Sequence, residues 1–322
     1  MIGLSSPHLP VAPSVGQVMR AVLLALIPGV ALFALFFGAG VLVNLALCAL
    51  ACVLTESLVL RLRGRPLSVL RDYTALLTGA LLALALPPGA PWWLPVLGGA
   101  FSIVLGKQVY GGIGYNPFNP AMVGYVILLI SFPAQMTAWP AAALPWAADA
   151  VSSATPLDHV RTQLLLARTL GEIRADPGFG LLAGAGWEWV ALGYLAGGLW
   201  LLWRRIIRWQ IPVGVLVGLG LMSLVFWGMD SDRYASPLFH LLSGATVLGA
   251  FFIATDPVSA ATTPRGRLLF GLGVGVLIHL IRTWGAYPDA VAFAVLLMNL
   301  CAPTIDRHTP TRVYGHHRKV AP

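Results

Sequence analysis

No charged residue interrupts this chain between Arg20 and Glu56, between Asp72 and Lys107, or between Lys107 and Asp149. A helix needs about 20 apolar residues to cross the hydrocarbon core of a bilayer, so each of the first two gaps holds two short spans. Soluble domains carry charge on about 25% of their residues; here 10% are charged and 58% hydrophobic, with a mean hydropathy of +0.81. Such a chain has too little polar surface to cover itself in water. An outer-membrane barrel would show alternating segments of about ten residues, and that pattern is missing. The fold expected is an all-α polytopic membrane protein in a lipid bilayer.

Apolar runs bounded by Gly, Pro or charge place spans near 21–38, 41–60, 73–87, 92–106, 119–133, 187–203, 211–229, 236–254, 267–282 and 288–303. Ten spans put both termini on one side, and the basic residues choose that side. With a cytoplasmic N-terminus, 15 of the 20 Lys and Arg residues fall inside, Lys107 among them. Five fall outside: Arg161, Arg168, Arg174, Arg233 and Arg282. The net charge of +8 is therefore a topology signal, and no nucleic-acid partner is expected. The chain divides into a first five-span half (1–133), an outside-facing loop (134–186), a second five-span half (187–303) and a cytoplasmic tail (304–322). No charged n-region or cleavage site precedes the first span, so no removed signal peptide is expected.

Leu76-Leu77-Thr78-Gly79-Ala80 in the third span recurs as Leu241-Leu242-Ser243-Gly244-Ala245 in the eighth, and both spans run on to a proline. Asn119-Pro120-Ala121 likewise opens the fifth span as Pro288-Asp289-Ala290 opens the tenth. Five spans per half is an odd number, so the halves would cross with opposite polarity, as inverted repeats do. Two stretches cannot be regular helix, because Gly and Pro break them: Gly111 to Pro120, and Ala254 to Pro264. They read either as plain cytoplasmic loops or as caps over a central site. In the second case Asn116, Asn119, Thr255 and Asp256 supply the polar contacts.

Glu56 and His279 are the ionisable groups most clearly within spans, where such residues line pathways or pair. Glu56 is a candidate for an ion path; it reads equally as a group pairing near Arg61 at the cytoplasmic face. Cys48 and Cys52 lie one turn apart with no third ligand nearby, so buried small residues are expected and no metal. Gly214/Gly218 and Gly271/Gly275 have the small-xxx-small spacing of close helix packing.

The outside loop contains one polar segment, residues 149 to 163. Thr155-Pro156-Leu157-Asp158 has the form of a helix start, with a hydroxyl at N-cap, proline at the first helical position and an acid at the third. Apolar spacing continues it as an amphipathic helix over 156–173. A hydroxyl there serves as a plain cap, or carries a phosphate that the free N–H groups stabilise, with Arg161 within a turn or two and Asp158 opposing the charge.

Ser152-Ser153-Ala154-Thr155-Pro156 resembles the motif in which a flavin transferase joins FMN to threonine through a phosphoester. With Ser6-Pro7-His8, Gly114-Tyr115-Asn116-Pro117-Phe118-Asn119-Pro120-Ala121, Ala254-Thr255-Asp256-Pro257-Val258-Ser259 and the run from Trp203 to Pro212, the whole chain resembles one family. That family is the D subunits of Rnf electron-transport complexes, homologous to the B subunit of the sodium-pumping NADH:quinone reductase. Ser153 stands where the motif usually has glycine. The short segment before the first span favours Rnf over the quinone reductase.

The resemblance implies two inverted five-helix repeats in a urea-transporter-like fold, in a bacterial inner membrane. It implies covalent FMN on periplasmic Thr155 and electron transfer between NADH and ferredoxin coupled to cation movement. The implied partners are the other Rnf membrane subunits, an outward-facing flavin-bearing subunit, iron–sulfur subunits and the flavin transferase. A second, non-covalent flavin such as riboflavin is implied too, and the interrupted helices are its expected pocket. The chain itself would bring no catalytic dyad, since the cofactor carries the chemistry. The alternative, from another class, is a channel or transporter for a small neutral solute with no redox role.

Overall fold

The computed structural model describes residues 13–140, 142, 152–176, 179, 182–287 and 289–311. Ser6-Pro7-His8, residues 149–151, Pro288 and both chain ends lie outside these. Helix lies on each of the apolar runs. The first half holds α1 (Val15–Phe37), α2 (Gly40–Leu62), α3 (Thr74–Ala83), α4 (Trp93–Ile103) and α5 (Pro120–Ser131), then a short α6 (Pro133–Thr137). The loop carries α7 (Pro156–Leu165) and α8 (Leu170–Arg174). The second half holds α9 (Trp187–Trp203), α10 (Gln210–Met229), the short α11 (Pro237–Leu242) and α12 (Thr246–Leu248), α13 (Pro264–Trp284) and α14 (Val291–His308). Among the described residues, α1, α2, α10 and α13 are long and apolar enough to cross a membrane by length and composition.

Four starts share one local device. Asn119-Pro120, Thr155-Pro156, Ser236-Pro237 and Thr263-Pro264 each place a side-chain oxygen at N-cap, accepting a backbone N–H of the first turn, with proline next. Proline there loses nothing, since the first helical N–H has no partner in the helix.

Glycine sets how closely the helices approach. A Cβ on Gly218 would meet the Leu272 carbonyl, one on Gly271 the Ile211 carbonyl, and one on Gly275 the Val215 carbonyl. The expected glycine face therefore joins α10 to α13 backbone to backbone. Gly193 and Gly197 do the same for α9 against α1, where the two halves meet.

The repeated motif takes two conformations. Leu76 to Ala80 lies inside α3, whereas the helix breaks at Ser243-Gly244-Ala245, with Gly244 at φ +63. Leu157, Arg282 and Asp289 crowd Gly244, and the Asp289 carboxylate accepts the Ala245 N–H at 3.1 Å, so tertiary partners replace the lost helical bonds. The eighth apolar run is thus α11, α12 and a π-turn over Gly249–Ile253. A second π-turn, Val104–Gln108, ends α4.

The loop helix is shorter than its apolar spacing predicts. It ends at Leu165; Ala167 turns to φ 61, and Thr169 opens α8 with its own capping box to Glu172. Local cap chemistry outweighs a continuous apolar stripe here.

Candidate functional site

Two cavities between the halves gather most of the residues singled out above. The larger encloses about 1030 Å³ of empty space, its open mouth included, and Thr155 lies on its wall. Thr155 caps α7, its Oγ1 accepting the Asp158 N–H at 3.3 Å. Ser153 and Ser152 lead into it as a two-residue strand paired with Trp139 and Pro140. Pro156 is buried against Gly184, where a Cβ would strike its ring.

The walls around Thr155 are aromatic and drawn from both halves. Trp139 and Trp187 stand with ring centroids 5.3 Å apart, and Phe33 packs on both. Tyr125, Tyr194 and Tyr287 complete the aromatic lining. The Tyr194 hydroxyl is buried and has no hydrogen-bond partner. A buried donor left unmade costs about 1–3 kcal/mol, so this hydroxyl fits a polar group entering the cavity. Sequence reasoning missed these aromatics: Phe33, Tyr125, Trp187 and Tyr194 lie in apolar runs where they read as core, and Trp139 and Tyr287 lie in connections with no local signal. Asp158 and Asp289 also line the cavity. Asp158, in the first turn of α7, opposes a phosphate charge on Thr155, and Asp289 opposes one elsewhere in the cavity.

Ala154 is exposed beside Thr155. Arg161 departs from its expected place: it lines a separate cavity that Thr155 does not reach. Six residues along α7, about 1.7 turns, carry it off the Thr155 face.

The second cavity, about 420 Å³, lies where the starts of α3 and α5 and the end of α4 converge. Asn116, Asn119 and Asp256 line it together. Asn119 also ties the two halves together. Its N–H donates to Asn299 Oδ1 at 3.1 Å, and its Nδ2 donates to the Ile253 carbonyl at 3.2 Å. Asn299 Nδ2 in turn reaches the Ser259 carbonyl at 3.0 Å. Asn116 donates to the Phe118 carbonyl, while its Oδ1 is buried without a partner. Burial pushes the Asp256 carboxyl up from its ordinary value, against the Ser259 hydroxyl at 2.6 Å and backbone N–H bonds that lower it. Thr255 stands apart, its hydroxyl spent on the Phe251 carbonyl at 2.7 Å.

Lys107 lies on this cavity's wall and not in a cytoplasmic loop. It is 2% exposed, its Nζ 2.6 Å from Glu56 Oε1 and 2.7 Å from Thr74 Oγ1. Gln108 Nε2 donates to the same Glu56 oxygen at 2.8 Å. Glu56 thus pairs with Lys107, and an ion path through it requires that pair to open. The spacing to Arg61 pointed to the wrong cation, because the π-turn at the end of α4 turns Lys107 inward. Arg282, counted outside, is buried too; 14 basic residues against 4 remain, with the same bias.

Cys48 and Cys52 are buried and free, and no cluster able to hold a metal occurs among the described residues. His279 lies at a helix interface, its Nδ1 3.1 Å from Ser223 Oγ.

With this geometry in view, comparison with known proteins is specific. A protein from Ectopseudomonas mendocina, named as the D subunit of an ion-translocating oxidoreductase complex, is 55% identical over 334 residues, covering 98% of this chain and 96% of that protein. Proteins of the same name from Pseudomonas aeruginosa and Escherichia fergusonii are 53% and 50% identical, each across 98% of this chain, covering 96% and 98% of their own lengths. The model of the NQR2, RnfD, RnfE family matches residues 3–315. The chain belongs to the NQR2, RnfD, RnfE family.

Proposed function

We propose that this chain is a membrane subunit of an ion-translocating oxidoreductase complex and holds FMN on Thr155 through a phosphoester. The observation that carries the reading is the Thr155 hydroxyl, at the start of α7, opening onto an aromatic cavity shared by both halves. Cofactor sites are mostly apolar with a few placed polar groups, and the lining of this cavity has that character. Bound there, a flavin takes up and passes on electrons. The protein's part is to hold and tune it. Trp139, Trp187 and Tyr125 supply flat apolar walls, and Tyr194 offers its hydroxyl as a donor. The first-turn N–H groups of α7 face the phosphate with the positive end of the helix dipole.

The complex would move electrons between NADH and ferredoxin and couple that flow to cation movement. Ten membrane helices in two inverted, urea-transporter-like repeats, with cytoplasmic termini and a periplasmic Thr155, complete the reading. So do the inner membrane, the other Rnf subunits, an outward-facing flavin protein, iron–sulfur subunits and a maturing flavin transferase. The cavity of Asn116, Asn119 and Asp256 is our site for a second, non-covalent flavin such as riboflavin; the unpaired Asn116 Oδ1 offers an acceptor to a ring N–H or a ribityl hydroxyl.

The test is direct. Co-expressed with the flavin transferase, denatured and run on a gel, the wild-type band should fluoresce as flavin, and Thr155→Ala should not. A dark band from folded wild type overturns the covalent reading and returns the neutral-solute channel. Fluorescence that survives Thr155→Ala overturns the site.

A further inference from the structure

On the far side of α7 from Thr155, a third cavity of about 1480 Å³, open mouth included, lies between the loop helices and the ends of α10, α11 and α13. Three nitrogens of residues lining it are buried without a hydrogen-bond partner: Arg161 Nη1, His240 Nδ1 and Arg282 Nε. His240 and Arg282 are themselves only 7% and 6% exposed. Arg282 is fixed in place, Nη1 donating to the His240 carbonyl at 2.7 Å and Nη2 to Thr246 Oγ1 at 2.9 Å. Its one carboxylate partner, Asp289, stands at 3.5 Å.

The charges of this cavity are layered. Arg168 is neutralised by Asp176 at 3.0 Å. Asp230 and Asp232 sit at the exposed rim with Arg233, where water screens them, and Asp230 Oδ1 accepts the Asp232 and Arg233 N–H groups. Arg161 has no carboxylate partner among the described residues, Arg282 has only Asp289 at 3.5 Å, and both line the cavity with His240. Leaving charged buried donors unmade is costly, and a group with several acceptor oxygens suits such a wall. Arginine favours planar, two-pronged recognition of phosphate or carboxylate. Leu164, Leu165 and Trp284 line the cavity beside this floor, the last two exposed.

We propose that this cavity binds a phosphate oxyanion, held by Arg161, His240 and Arg282. The source is an anionic phospholipid headgroup, with the exposed apolar wall taking its chains, or free phosphate. The site does not rest on the flavin reading: Thr155 is not part of it, and the two cavities share only Leu157 among their lining residues.

The experiment follows thermal unfolding of the purified full chain in neutral detergent. Phosphatidylglycerol, phosphatidylcholine of the same acyl chains, and inorganic phosphate are titrated in separate arms. A saturable rise in midpoint with phosphatidylglycerol but not phosphatidylcholine supports the site and assigns it to lipid; the same rise with inorganic phosphate alone supports it and assigns it to a soluble anion. Arg161→Gln should weaken the apparent affinity about tenfold. Arg161→Lys, which keeps charge but loses the fork, should fall between. Arg233→Gln at the rim should have a smaller effect, and Arg205→Gln, in the turn after α9, none. Equal midpoints in all three arms, or a response that Arg161→Gln leaves unchanged, overturns the proposal.

Discussion

Each half of the molecule buries one cation at the C-terminal end of its fourth apolar run, and the two are housed differently. Lys107 in the first half meets a full carboxylate, Glu56, with Thr74 and Gln108 closing the network. Arg282 in the second half is held mainly by neutral acceptors, the carbonyls of His240 and Ser243 and the Thr246 hydroxyl, with Asp289 farther away. The backbone beside each cation accounts for the difference. In the first half α3 is continuous and offers only a hydroxyl at its start. In the second, the break between α11 and α12 frees carbonyls that an arginine can gather. A helix break substitutes for a carboxylate.

That contrast is open to breakage. Lys107→Met should be the most destabilising change, about 3–5 kcal/mol, because it strands Glu56 as a buried unpaired charge. Adding Glu56→Leu should recover most of that loss, since replacing a whole buried pair by apolar groups is often near neutral. Arg282→Met should cost less, about 1–3 kcal/mol, as it strands mainly neutral acceptors and its one carboxylate partner, Asp289, is partly exposed to water. Unfolding titrations in mixed detergent read all three, and equal losses for Lys107→Met and Arg282→Met would erase the contrast. Next in size, Asn299→Ala should cost about 1–2 kcal/mol by leaving the Asn119 N–H without its acceptor. Asn119→Ala keeps that backbone N–H but removes the Nδ2 bond to the Ile253 carbonyl, so its loss should add to that of Asn299→Ala; no loss from either would deny that these bonds join the halves.

The smallest effect concerns the loop. The Arg168 guanidinium first, and His159 second, hold the Asp176 carboxyl down to about 2 from an ordinary 3.8. The tie between α7 and α8 is therefore complete above that ordinary value and is lost as pH falls through about 2. Both partners are half-exposed, so the gain is modest. Hydrogen-exchange protection across 156–176, corrected for the intrinsic pH dependence of amide exchange, should fall between pH 4 and pH 2 in wild type and stay level in Asp176→Asn.

Helices were legible in the chain wherever apolar length and a cap–proline pair coincided, as at Asn119-Pro120 and Thr263-Pro264. Charge placement was less so. Lys107 borders two charge-free runs and reads as a loop residue; only the π-turn, which no local residue announces, turns it toward Glu56. The break at Ser243-Gly244-Ala245 was hidden for a similar reason. Its sequence nearly copies the helical Leu76 to Ala80, and the deciding contacts come from Asp289, Arg282 and Leu157. At the candidate site, Thr155 and its cap were visible locally. The aromatic walls were not, because apolar periodicity cannot separate a tryptophan that lines a cavity from one that fills a core.

The most direct test of the central claim is peptide mass mapping of the chain purified from cells that make the flavin transferase. The account predicts that the peptide spanning Ser152 to Arg161 carries one FMN, bonded to Thr155 through phosphate. An unmodified Thr155 peptide from fully matured protein, or FMN found on another residue, would contradict it.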